Sequence, residues 1–141
     1  IAEALGLEVP PLSAKAQQEL MSRLKGIIPP FSAPRNPVDL VWAPMDNPAD
    51  LYLQCARIIL TEVDALVMVS YLDFDEHLAR EVSRLRDEMG KPIFIVPGHP
   101  VERATGIGLL TRNGVPTFNI PERAIATLSA MVRYSHYRGQ R

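Results

Sequence analysis

A single cysteine, Cys55, stands among the 141 residues, so an internal disulfide and any metal site built on several cysteines are excluded. It falls in an apolar helical pattern, which predicts a buried thiol rather than a nucleophile. No apolar run approaches the roughly 20 residues that span a bilayer, and no cationic-then-apolar leader precedes the first element. A cytoplasmic location without membrane contact is expected by elimination. Blocks of lysine or arginine are missing and the formal net charge is -1. Nucleic-acid affinity depends on neutralising phosphates, so that partner is not expected. Neither GxGxxG nor GxxxxGKS/T occurs, and no serine occupies a GxSxG elbow. The three histidines, His77, His99 and His136, share no metal-ligand spacing, so no metal site is expected.

What remains is ordinary globular material: 47% hydrophobic and 22% charged residues, enough for one domain with a core but not two. The chain opens at Ile1 rather than methionine, and reads as a piece of a longer protein. Residues 1–8 read as the tail of a helix ending near Gly6, and 9–12 as a linker. Ser13 is a suitable N-cap for a helix over about 14–25. After the proline-rich stretch "IIPPFSAPRNP", "VDLVW" (38–42) predicts a short strand. Asn47-Pro48 opens a helix to about residue 60. "DALVMVS" and "KPIFIVPG" carry the unbroken apolar runs of strands covered on both faces. Between them a helix over about 75–89 is predicted, ended by Gly90, with Asp75 as its cap. A helix over about 100–112, a strand at "VPTFN" and a closing helix from Pro121 to about Arg138 complete the pattern. Strand and helix alternate four times, which specifies an α/β three-layer sandwich with a mostly parallel sheet. In the last helix, Ala124, Leu128 and Met131 line the predicted inner stripe, with Ile125 and Val132 widening it.

In such sheets ligands bind beyond the carboxyl ends of the strands. The candidates there are Trp42, Asp46, Ser70, Tyr71, Asp73, Asp75, Gly98, His99 and Glu102. His99, between Gly98 and Pro100, could accept a phosphoryl group or act as a base, though a loop histidine is more often plain surface. Asp73 and Asp75 superficially resemble a receiver or Mg²⁺ pair, but Lys91 precedes its strand and would stand at the wrong end of the sheet. Asp39 falls inside an otherwise apolar strand pattern, where an uncompensated charge is expensive. It must bond to backbone at a sheet edge or point into a cleft. With Asn36 it reads first as a structural anchor and second as a binding residue. No catalytic constellation assembles within the chain.

"GLEVPPLSAKAQQEL", "NPVDL", "VDALVMV", "KPIFIV" and "LLTRNGVPTFNIPERAIATLSAMVRY" resemble the NDP-forming acyl-CoA synthetases, relatives of succinyl-CoA synthetase, across essentially the whole chain. The similarity is to the family's second flavodoxin-like ligase domain, beginning after its first strand and Gly-rich loop. The resemblance implies residues 1–141 as one flavodoxin-like domain of an ADP-forming acyl-CoA (acetyl-CoA-like) synthetase, inactive alone. It implies assembly surface and part of a cleft facing a phosphohistidine carried elsewhere. The larger enzyme would use CoA, ATP or ADP, phosphate and Mg²⁺, with a CoA-binding/phosphohistidine domain and an ATP-grasp domain as partners in an oligomer. No cofactor is assigned to this segment itself. Asn36 and Asp39 match the family pattern, and Ser70, Gly98 and His99 join them as cleft-facing binding residues. The same pattern occurs in a regulatory region of fused protein acetyltransferases. A stand-alone flavodoxin-like binding module is the remaining alternative.

Overall fold

The computed structural model describes residues 1–27, 34–40, 48–70, 75–98 and 106–139. The strands of its sheet are β1 (Leu66–Ser70) and β2 (Ile93–Pro97), paired in parallel with Val69 opposite Val96. A single parallel bridge joins Ile95 to Thr117 on the far side of β2. The strand expected at "VPTFN" is thus reduced to one bridge. The Ile95 N–H donates to Pro116 and the Phe118 N–H to Ile95, both at 2.9 Å, and the chain then turns into a helix. The strand expected over 38–42 does not form across residues 38–40, and 41–42 lie outside the described residues.

Helices cover both faces of the sheet. They are α1 (Ala14–Leu24), α2 (Pro48–Leu60), α3 (Glu76–Met89), α4 (Ile107–Arg112) and α5 (Pro121–Gly139). Successive residues of a strand point to opposite faces, so β2 divides its side chains between two layers. Ile93 and Ile95 pack with Met68 against Ala56, Leu78, Val82 and Leu110 of α2, α3 and α4. Phe94 and Val96 pack against Ala124 and Leu128 of α5, with Phe118 meeting Phe94 edge to face at 5.6 Å. The expected α/β sandwich with helices on both sides of a parallel sheet is what forms, consistent with a flavodoxin-like domain. On the outer side of α2, Leu20 and Leu24 of α1 meet Leu51, Cys55 and Ile58.

Local chemistry sets the helix ends. Ser13 accepts the Ala16 N–H at 3.2 Å, and Asp75 accepts the Leu78 N–H at 2.8 Å, each occupying an otherwise unpartnered donor of a first turn. Gly90 ends α3 at φ 62°, a left-handed conformation that costs glycine little. Lys91 donates to the Leu60 carbonyl at 2.7 Å, satisfying the C-terminus of α2. It stands at the amino end of β2, where the sequence put it. Residues Glu3–Leu5 form a 3₁₀ turn closed by Gly6, not a regular α-helical tail. On α5 the buried stripe is shifted from expectation. Ala124 and Ser129 are buried and Leu128 is half-buried, while Met131 is exposed. The layer under α5 reaches Ala124 and Leu128 but not Met131, so the apolar spacing beyond them meets no described partner. The predicted helix over 100–112 is described only from Ile107, its earlier part lying outside the described residues.

Candidate functional site

The carboxyl ends of β1 and β2 lie side by side, as parallel pairing requires. Ser70 closes β1, is fully buried, and its carbonyl accepts the Gly98 N–H at 2.7 Å. Above it, the Tyr52 hydroxyl on α2 is hydrogen-bonded to the Ser70 side chain. Burial pushes the Tyr52 hydroxyl above its ordinary pKa, with the Asp39 charge adding to the shift and the Ser70 bond opposing it. Asp39, Tyr52 and Ser70 therefore share one neighbourhood. Gly98 is exposed beside them.

Asp39 is not a charge inside a buried strand. Residues 38–40 are irregular, Asp39 is exposed, and only Leu40 turns into the core, so the desolvation cost anticipated from sequence does not arise. Its other anticipated position is the one adopted, on the wall of a cleft. That cleft, about 140 Å³, runs between Val38–Leu40 on one side and β1 on the other, with Tyr52 and Cys55 at its floor. Asn36 donates from Nδ2 to the Pro10 carbonyl at 3.0 Å and ties the irregular segment to the linker before α1. That bond is structural anchoring. His99 lies outside the described residues, as do Trp42, Asp46, Tyr71, Asp73 and Glu102. Asp75 caps α3.

Tyr52 is the polar group that sequence reasoning missed. It lies three and four residues before Cys55 and Ala56, a spacing that puts it on the same helical face as those core positions. A hydroxyl on that face needs a partner, and this could have marked it. Cys55 is buried, as its apolar setting predicted, and burial pushes its thiol up to about 11. A nucleophilic thiolate is disfavoured there.

As described, the cleft holds about 140 Å³, below the roughly 300 Å³ at which ligand pockets begin. Among the described residues no three His, Cys, Asp or Glu side chains converge to hold a metal ion. No described helix is long and apolar enough to cross a membrane.

Two known proteins are similar to this chain in sequence. In an alignment covering 85% of this chain it is 26% identical to acetate–CoA ligase (ADP-forming) II subunit alpha of Pyrococcus furiosus. In one covering 80% of the chain it is 30% identical to acetate–CoA ligase (ADP-forming) I subunit alpha of the same organism. This chain is a relative of the ADP-forming acyl-CoA synthetases. The chain spans only 28% and 25% of those two subunits, about a quarter of their length. No family model matches it, and no solved structure matches it.

Proposed function

We propose that residues 1–141 form one ligase-type domain of an ADP-forming acyl-CoA synthetase, contributing assembly surface and part of a phosphate-facing cleft without catalysing the reaction alone. The observation that carries this reading is the match to two ADP-forming ligase subunits along four-fifths or more of the chain. In this reading the larger enzyme uses CoA, ATP or ADP, phosphate and Mg²⁺, and the residues around Asp39, Tyr52 and Ser70 supply a cleft wall and a strand end.

The chain's own residues would orient rather than react. Gly98 has no side chain to obstruct an approaching phosphorylated group, and its N–H is already held by Ser70, which fixes the strand end. His99, next in sequence, stays a proposed binding residue on the resemblance alone. Asp39 repels phosphate by its charge, so its role in this reading is to hold the cleft wall. Asn36 secures that wall through Pro10.

Transfer of labelled phosphate from ATP, followed with acyl-CoA formation, tests the reading. The longest natural polypeptide containing this chain should support both, and the 141 residues alone should support neither. Turnover by the isolated chain would sink it. So would lysine acetylation by the longer protein without acyl-CoA synthesis, the outcome a fused acetyltransferase would give.

A further inference from the structure

The outward face of α5 is unlike a helix face that meets only water. Arg123, Ala126, Ala130, Arg133, Tyr134 and Tyr137 recur at three- and four-residue spacings and so share one side of the helix. That side is opposite Ala124 and Leu128, which pack on β2. Tyr134 and Tyr137 are 62% and 53% exposed. From Arg123 to Gly139 there is no lysine, aspartate or glutamate. Protein interfaces are depleted in those three residues and enriched in tyrosine and arginine. Thr127, beside Ala126 on this face, donates its hydroxyl to the Arg123 carbonyl at 2.8 Å, so it can leave water without losing a hydrogen-bond partner.

We propose that this face docks a second copy of the chain, α5 against α5, antiparallel about Ala130. Self-complementarity selects both the occupant and the direction. The face is small in its first half, around Ala126 and Ala130, and large in its second, at Tyr134 and Tyr137. A two-fold axis at Ala130 sets Tyr134 of each copy over Ala126 and Thr127 of the other. It also brings Tyr137 to Arg123 of the other copy, ring to guanidinium. Ala130 meets its own counterpart, with only methyl groups between the two helices. Charge points the same way. The acid of α5, Glu122, lies in the first turn, and His136 and Arg138 lie in the last. Antiparallel pairing joins those opposite ends, whereas parallel pairing would stack arginine on arginine and tyrosine on tyrosine. A 19-residue helix is about 28 Å long, so the contact is small and the dimer weak, with a dissociation constant of about 100 µM. This gives the assembly surface of the proposed ligase domain a place and an occupant, and rests on that reading for its role in a larger enzyme.

Sedimentation equilibrium between about 10 µM and about 1 mM should show monomer passing to dimer. Ala130→Glu puts two carboxylates on the axis and should raise the dissociation constant at least ~30-fold. Glutamate is a good helix former at an exposed site, so the urea midpoint of that variant at low protein concentration should hold. Ala130→Cys should form an intermolecular disulfide at least ~10-fold faster than Ala126→Cys, whose two copies stand about 12 Å apart along the pair. Cys55 is buried and stays out of the reaction. A monomer throughout the concentration range would overturn the proposal. So would a dimer indifferent to Ala130→Glu, whose contact would lie elsewhere, or equal crosslinking through the two cysteines, which would deny the axis. These measurements read self-association and not acyl-CoA formation. Failure of the pairing therefore leaves the ligase reading standing, and failure of the ligase reading leaves the pairing.

Discussion

Ser129 of α5 donates its hydroxyl proton to the carbonyl of Leu5 at 2.6 Å, joining positions 124 residues apart. Ser129 is 2% exposed, so the bond replaces solvent for its hydroxyl. It is the polar tie between the 3₁₀ turn and the helix that covers β2. Replacing Ser129 with alanine should cost about 1 kcal/mol, as for a typical buried hydrogen bond. Urea unfolding should show a lower midpoint at unchanged slope, and the Leu7 amide, which bonds Ala2, should exchange faster. An unchanged midpoint would mean that the turn is not held by α5.

The two faces of β2 make separable predictions. Phe94 is fully buried between the sheet and α5, and Phe94→Ala should cost about 3–5 kcal/mol. Leu128 is only half-buried against the same layer, so Leu128→Ala should fall near the bottom of the leucine range, about 2 kcal/mol. Tyr134, 62% exposed farther along α5, should tolerate alanine within about 0.5 kcal/mol. Denaturant unfolding of the three variants checks the order. A Tyr134 effect as large as that of Leu128 would displace α5 from its assigned face.

Asp75 caps α3 through its side-chain oxygen, and Asp75→Ala should destabilise the protein by about 1 kcal/mol. Asp75→Asn keeps an acceptor in the same place and should recover most of that. If Asp75 instead served in a carboxylate site with Asp73, asparagine would not substitute for it. Thermal unfolding of the pair distinguishes the two roles.

Alkaline pH should weaken the fold through Cys55. Burial raises its thiol from 9.0 to about 11, against an opposing pull from Arg23, so the folded state keeps a proton that the unfolded chain has already lost. The stabilisation is complete below pH 9 and disappears as pH climbs towards about 11. Tyr52 is shifted in the same direction and adds to the loss. Urea midpoints measured between pH 8 and 11 should fall, and Cys55→Ala should flatten part of that fall. Equal slopes for both proteins would remove Cys55 as a cause. A thiol reagent at pH 8 should react with Cys55 only once denaturant is added.

The central layers were legible because their signals are local. "IFIV" has no polar position to face water and is buried on both sides, and the helix before it has a capping aspartate and a terminal glycine. "ALVMV" gave the same signal, but Val69 at its end is 49% exposed, because an apolar run does not say how far the covering layer extends. The strand at "VDLVW" was a weaker inference for a physical reason. A strand is defined by its neighbour, and the edge of β1 beside Val38–Leu40 has no described partner. Asp39 lies in that irregular segment, exposed, so the burial cost considered for it does not arise. The site was less legible than the fold. Tyr52 and Ser70 are 18 positions apart, and no spacing rule joins a helical tyrosine to the last residue of the next strand.

The sequence by itself determined where the helices around the sheet are capped, that β2 is buried on both faces, and which ligase family the chain resembles. Those properties reside in short-range periodicity, caps and contiguous apolar runs. Only the tertiary structure decided that Asp39, Tyr52 and Ser70 meet, that Ser129 reaches back to Leu5, and that one edge of β1 is left open. Each of these depends on the distance between segments far apart in the chain. That distance is set by how the layers pack, not by any residue's own preference.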